Sequence, residues 1–500
     1  MEINQVISSF VHTAIQEGYL AELDRTYMIN RLLAILKLDN YQTTEPHEGA
    51  LLTFLDKLVD FAIAQGVIEE TSFEIEALEA AIMDLITPFP SQVNQHFWEL
   101  YQQDKKQATD FFYRLSQAND YIKTRKIAQN IEFKAETPYG LLDITINLSK
   151  PEKDPKMIAY LKTLPPAKYP LCALCLENEG YRGSPKQAAR QNHRIIRVKV
   201  KDRDYGFQYS PYVYFNEHSI FINQLHQPMS INQRTFENLL ELVKVFPHYF
   251  VGSNADLSIT GGSILAHDHY QAGRFEFAMA RASVLESFTL KAFPSVEIDH
   301  LHWPMSVMRL RHQDPDQISQ AAGYILGHWR DYSDASLDIL ARSGDEIHNT
   351  ITPIARYKDG FYELDLVLRN NRTSAQYPDG IFHPHPDVQH IKRENIGLIE
   401  VMGLAILPPR LLSELEAVQA YLAGKISLDQ VAEIHQDWAQ ALQEDYSPDQ
   451  SVEEYVKEAL GVKFARILED AGVFKLDQAG RAGFQRFIES LNKGVEGCII

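Results

Sequence analysis

Residues 261–273 read GGSILAHDHYQAG, and they place His267, His269 and Gln271 at alternate positions behind a Gly-Gly-Ser turn. If Ala266 to Gln271 is extended, alternate side chains point the same way, so these three share one face of a strand while Asp268 and Tyr270 share the other. Asp268 is then badly placed to orient either imidazole.

That face suits transfer of a phosphoryl or nucleotidyl group. A neutral histidine whose other ring nitrogen is held by a carbonyl can attack phosphorus and carry the group covalently, splitting one displacement into two. A glutamine on the same face can donate its amide hydrogens to the phosphate oxygens as charge develops. Gly261 and Gly262 let backbone approach a ligand closely, and Ser263 and Asn254 add hydroxyl and amide donors. The competing reading makes both histidines satisfied core residues or metal ligands. A related pattern, His383-Pro-His385, lies in a later β-rich block and suggests two related halves; two positions beyond His385 stands Asp387, so only the first copy carries the glutamine. His269 is therefore the preferred nucleophile.

Outward from this motif, the period is two in Leu142, Ile144, Ile146 and Leu148, and again in Ile196, Val198 and Val200 against Arg197, Lys199 and Lys201, the pattern of half-buried strands. YVYF (212–215), SIFIN (219–223) and YELDLVLRN (362–370) read as further strands, and TFENLLELVKVF (235–246) as a helix. The first ~126 residues read as helical, with Ile3, Val6, Ile7, Phe10 and Ala14 on one stripe and Phe54, Leu55, Leu58, Val59 and Ala62 on another. The last ~90 residues return to helical spacing, with Ser451 and Glu454 in capping-box positions.

Five hundred residues with 45% hydrophobic content are enough for two or more packed domains. A formal charge of −19 excludes broad nucleic-acid binding, which needs a field of cations against phosphates. Lys186, Arg190, His193, Arg194, Arg197, Lys199, Lys201 and Arg203 form either a basic patch for an anionic ligand or a solvated strand and loop. MEINQVISSF lacks a signal-peptide core, the apolar run 397–408 is too short to span a bilayer, and Cys498 stands third from the end, outside a prenylation box. A cytoplasmic protein without membrane attachment is expected. Cys172 and Cys175 have the spacing of a zinc half-site, of a redox pair, or of a plain buried pair.

Several longer stretches together resemble the galactose-1-phosphate uridylyltransferase family, in its second, bacterial sequence class: CALCLENEGY, ARQNHRII, FQYSPYVYFNEH, SNADLSITGGSILAHDHYQ, HNTITPIAR, DLVLRNNRTS and HIKRENIGLIEVMGLAILPPRL, with DITINLSKPEKDP before them. They span roughly residues 112–415. The resemblance implies a ping-pong transfer of a uridylyl group from UDP-glucose to galactose 1-phosphate, giving UDP-galactose and glucose 1-phosphate. His269 would form a uridylyl-histidine, with Gln271 as its phosphate partner.

It implies further that the α-phosphate lies near Asn254, Gly262 and Ser263, that Asn178 and Asn192 contact uridine, and that Glu400 contacts the sugar phosphate. A structural zinc would be held by Cys172, Cys175, His226 and His267. His383 and His385 match a pair that can hold a second metal in the better-known branch; that branch has proline where this chain has Asp268. The fold implied is α+β: two histidine-triad-like halves of mainly antiparallel sheet with helical extensions at both ends, usually assembled as a homodimer. The expected divisions are 1–126 (helical), 127–245 (first part of the transferase half), 246–280 (the histidine segment), 281–415 (second half) and 416–500 (helical). Other nucleotidyltransferases, phosphorylases and hydrolases of the histidine-triad group are the nearest alternative, and hydrolases there tend to carry histidine where Gln271 stands. A zinc-organised sugar-nucleotide-binding protein without catalysis is the other.

Overall fold

The computed structural model describes residues 1–149, 163, 168–262 and 264–493. Ser263 and Cys498 lie outside the described residues.

The alternating segments build strands β1 (Ile131–Thr137), β2 (Gly140–Ile146), β3 (Ile196–Val200), β4 (Arg203–Tyr209), β5 (Ser219–Asn223), β6 (Phe250–Gly252), β7 (His269–Gly273), β8 (Val284–Leu290), β9 (Phe293–Leu301), β10 (Val307–His312), the short β11 (Arg342–Ser343) and β12 (Glu346–Ile347), then β13 (Asn349–Lys358), β14 (Phe361–Asn370) and β15 (Leu404–Leu407). Ten of them form one sheet in the order β3-β4-β5-β7-β6-β13-β14-β10-β9-β8, antiparallel at every pairing. Within that order β3 to β7 and β8 to β14 run the same course from opposite edges and meet at β6 and β13. A helix, Gln233–Val245 in the first half and Pro315–Asp331 in the second, precedes the meeting strand of each. The two-halved α+β architecture is thus realised as a single continuous sheet.

By this correspondence β14 takes the place of β7. The residues of β14, FYELDLVLRN, include no histidine, whereas His383 and His385 lie beyond its end in irregular chain. The His-Pro-His echo is therefore not the structural counterpart of His-Asp-His. YVYF also differs from expectation: 212–215 is bent, irregular chain rather than strand, and it leads into a turn in which Glu217 takes a left-handed φ of 56° before β5.

Each face of the sheet buries its own core. On one, Tyr205, Phe207, Tyr270, Leu364 and Leu366 pack against the two connecting helices, and Phe97 and Phe112 arrive from helices Pro90–Gln103 and Lys105–Ala118. On the other, Phe215, Phe277 and Val367 meet β2, β15 and the C-terminal helix Val452–Ala471. In that smaller sheet β1 pairs antiparallel and β15 parallel to β2. The stripes at Val6, Ile7, Phe10, Leu55, Leu58 and Ala62 close a separate N-terminal helical core. Ser451 caps its helix by accepting from the backbone N–H of Glu454. Among the described residues no helix is long and apolar enough to cross a membrane.

Candidate active site and metal cluster

β7 pairs on one side with β5, Ile220 opposite Gln271 and Ile222 opposite His269, and on the other with β6, Gly252 opposite Gln271. This central position buries the strand. Asp268 turns to the helix-covered side, where its carboxylate accepts from Tyr205 Oη at 3.2 Å and Asn223 Nδ2 at 3.0 Å. His269 and Gln271 point the other way, into a cavity of about 630 Å³ lined also by Leu174, Tyr214, His218, Asn254, Gly262, Lys392, Asn395 and Glu400.

His269 Nδ1 donates to the carbonyl of His267 at 2.7 Å, which leaves Nε2 as the ring nitrogen with a free lone pair. Burial keeps this imidazole below its ordinary pKa, although the carbonyl bond favours protonation. Gln271 meets His218, whose Nε2 lies 3.3 Å from the amide Oε1.

Next to this strand, the Sγ atoms of Cys172 and Cys175 are 3.6 Å apart. His267 Nδ1 lies 3.3 Å from Cys172 Sγ and His226 Nδ1 3.2 Å from Cys175 Sγ, and all four ligand atoms fall within 4.8 Å of one another. Two sulfurs and two nitrogens converging at such distances fit one tetrahedral ion of zinc's type. His267 Nε2 is held by the carbonyl of Asn223 at 2.8 Å, the outer bond that fixes a ligating imidazole with Nδ1 turned to the ion.

Asn178 and Asn192 do not line the cavity. The amide of Asn178 donates at 2.8 Å to the carbonyls of both Cys172 and Cys175, so it shapes the cysteine turn. Asn192 exchanges amide–carbonyl bonds of 2.7 and 2.6 Å with Asn119. Three cations of the basic segment are committed elsewhere: Arg194 pairs with Asp84, Arg197 with Glu179 and Lys201 with Glu237. His385 is held between Asp470 and the carbonyl of Ile381 and stacks on Tyr377, and His383 joins no metal-ligand group among the described residues.

Gly262 and Asn254 do face the cavity, but glycine here serves the chain's own packing: a Cβ at Gly262 would come 2.8 Å from Asn254 Nδ2. Asn254 Oδ1 in turn accepts from the backbone N–H of Leu398 at 2.9 Å. This bond seats the strap 392–400 across β6, where Gly252 leaves room for Leu398. Glu400 caps the strap's helical turn through the N–H of Gly397 and pairs with Lys392 Nζ at 3.1 Å.

Lys392, 5% exposed, and His218 went unnamed as site residues in the sequence reading. Both lie within stretches that carried the resemblance, KRENIGLIE and FQYSPYVYFNEH. Neither has a local spacing signal, because a lysine or histidine in a loop gains its role only from what the fold sets beside it.

Residues 19–228 match the family model for the galactose-1-phosphate uridyl transferase N-terminal domain, and residues 241–440 that for the C-terminal domain. The galactose-1-phosphate uridylyltransferase of Lactococcus lactis subsp. lactis is 52% identical over 496 residues, covering 98% of this chain and 100% of the relative. That of Ligilactobacillus salivarius is 50% identical over 494 residues, covering 98% and 99%. A solved yeast Ap4A phosphorylase, Apa2, in complex with Ap4A, covers 66% of this chain and is itself covered to 97%, at 13% identity and a TM-score of 0.34; so distant a likeness carries no argument.

Proposed function

The chain belongs to the galactose-1-phosphate uridylyltransferase family and transfers a uridylyl group between UDP-glucose and galactose 1-phosphate; we propose that it does so in two displacements through His269. Nε2 of His269 attacks the α-phosphorus of UDP-glucose, the bond to the glucose 1-phosphate oxygen breaks, and glucose 1-phosphate leaves. A phosphate oxygen of galactose 1-phosphate then attacks the same phosphorus, the N–P bond breaks, and UDP-galactose departs with neutral His269 restored. The observation that carries this reading is the 2.7 Å bond from Nδ1 to the carbonyl of His267. It presents the lone pair, and the carbonyl dipole stabilises the positive ring that exists while Nε2 bears phosphorus.

Gln271 is read as the amide donor to the α-phosphate oxygens. Asn254 and the backbone at Gly262 bound the same space, and Lys392 with Glu400 forms the polar wall suited to the phosphate of the hexose 1-phosphate. Ser263 belongs to this group by the resemblance alone. Zinc at Cys172, Cys175, His226 and His267 would supply a closed structural cross-link, tying the cysteine turn to the strand beneath His269 without entering the cavity. The family resemblance adds a homodimer and a cytoplasmic location.

The test is incubation with UDP-glucose and no acceptor, followed by intact and peptide mass spectrometry. An acid-labile uridylyl adduct on the peptide containing His269, discharged by galactose 1-phosphate and missing from His269→Ala, is expected. No adduct on folded, metal-replete protein overturns the covalent route.

A further inference from the structure

A glutamine amide has two ends of nearly equal size and opposite electrostatic sense. Turned one way, Gln271 offers N–H groups to a phosphate; turned the other, it sets a carbonyl oxygen against the same negative charge. A residue asked to stabilise phosphorus transfer needs something that tells the ends apart.

Among the described residues, His218 is the side chain that meets that amide with a ring nitrogen. It immediately precedes β5, is 4% exposed, and its Nε2 lies 3.3 Å from Gln271 Oε1. Its other nitrogen, Nδ1, is buried without a hydrogen-bond partner among the described residues. Burial lowers the pKa of this imidazole to about 4, so at neutral pH it carries one proton, on one nitrogen or the other. An orphaned buried N–H is costlier than an orphaned lone pair. The proton therefore belongs on Nε2, which makes His218 a donor to Gln271, and a donor selects the oxygen end of the amide.

The ring is also fixed in place. The backbone N–H of His218 donates to the carbonyl of Phe215 at 3.0 Å, and its own carbonyl accepts from Ser210 at 2.8 Å. The imidazole packs against Tyr214 and Phe215, with centroid separations of 5.4 and 4.5 Å. Opposite this turn stands Gly273, where a Cβ would meet the Phe215 ring at 2.6 Å and the Glu217 carbonyl at 2.9 Å. The strand that bears the nucleophile thus leaves space for the turn that bears His218.

We propose that His218 is a positioning residue that holds the amide of Gln271 with its NH₂ toward the transferring phosphate. This inference rests on the reading of Gln271 as the phosphate donor, and it acts through that residue alone.

The test is a double-mutant cycle on the rate of uridylyl-enzyme formation, measured by rapid quench with UDP-glucose on metal-replete protein. Gln271→Ala is expected to slow this step by about 10²-fold, and His218→Phe, which keeps an aromatic ring but removes the donor, by about tenfold or more. The double variant should be no slower than Gln271→Ala, and His218→Gln, which keeps a donor, should recover part of the loss. UDP-glucose affinity should change little beside the rate. A rate unchanged in Gln271→Ala would overturn the reading of Gln271 and this inference with it. A slow Gln271→Ala beside a wild-type rate in folded His218→Phe, or losses that multiply in the double variant, would overturn the His218 assignment alone. Should His218→Phe not fold, ¹⁵N-histidine spectra of the wild-type enzyme at pH 7 decide, with the His218 signals assigned through His218→Gln: protonation at Nε2 is required, and protonation at Nδ1 overturns the assignment.

Discussion

At the scale of single residues, the site depends on which atoms are left free. His269 spends Nδ1 on a carbonyl and keeps Nε2. Asn254 spends Oδ1 on the N–H of Leu398. Gly262 is small because Asn254 Nδ2 occupies the space a side chain would take. Gly262→Ala is therefore expected to push the Asn254 amide off its seat and lower kcat/KM for UDP-glucose by about tenfold, a loss of roughly 1.4 kcal/mol in transition-state binding. Steady-state kinetics beside an unchanged far-ultraviolet circular dichroism spectrum would check it; an unchanged kcat/KM would show that Asn254 has room to retreat. The alternation of His269 and Gln271 was legible in the sequence because strand geometry fixes it, whereas His267, expected on the same strand face, lies in a bend before β7 and turns its ring to the cysteine cluster. The placements of Asn178 and Asn192 were not, since an amide looks the same in sequence whether it meets a ligand or ties a turn together.

At the scale of elements, the second half contributes the strap 392–400 to the site but no counterpart of His269. Where β7 carries His269, β14 carries side chains that fill the same face with a buried ion-pair network: Asp365 accepts from Arg309 Nε at 2.7 Å and also pairs with Arg356. These two guanidinium groups outweigh burial and hold the Asp365 carboxyl down to about 2. Its folded pKa lies below the unfolded value, so its stabilising contribution is complete above about pH 4 and disappears as pH falls through about 2. Asp365→Asn, which leaves two buried cations without their shared anion, should destabilise the protein by about 3–5 kcal/mol at neutral pH. Urea unfolding would measure it, and the gap between variant and wild type should close in strong acid. Further along β14, Arg369 donates to the carbonyl of Ile396 at 3.0 Å and to Thr352 Oγ1 at 3.3 Å, anchoring the strap 392–400. Arg369→Met should raise hydrogen exchange in Asn395–Glu400 and raise KM for the sugar phosphate more than it lowers kcat. An unprotected strap in the wild-type enzyme would contradict this.

For the whole molecule, the continuous ten-stranded sheet joins two halves that differ in task, and the cysteine–histidine cluster joins the turn at Cys172–Cys175 to the first of them. Removing the metal should therefore act on stability before chemistry. Chelation, or Cys172→Ser, is expected to lower the melting temperature by several degrees, as the loss of about 1–2 kcal/mol would from a domain of this order, with metal analysis giving one zinc per chain in the intact protein. A full complement of zinc in Cys172→Ser would reject this ligand set. The sequence alone determined the local periods: β3 buries Ile196, Val198 and Val200 and exposes Arg197 and Lys199 as its alternation requires, and the stripes at Val6–Phe10 and Leu55–Ala62 close their own core. It also determined, through long motif matches, the family and its reaction. Tertiary structure decided the rest: that β14 and not His383-Pro-His385 answers to β7, that Arg194, Arg197 and Lys201 of the basic segment are spent on carboxylates, and that His218 and Lys392 line the nucleophile's cavity. Periodicity is written in neighbours a few residues apart, whereas a hydrogen bond between Gln271 and a residue 53 positions earlier exists only once β5 and β7 have paired.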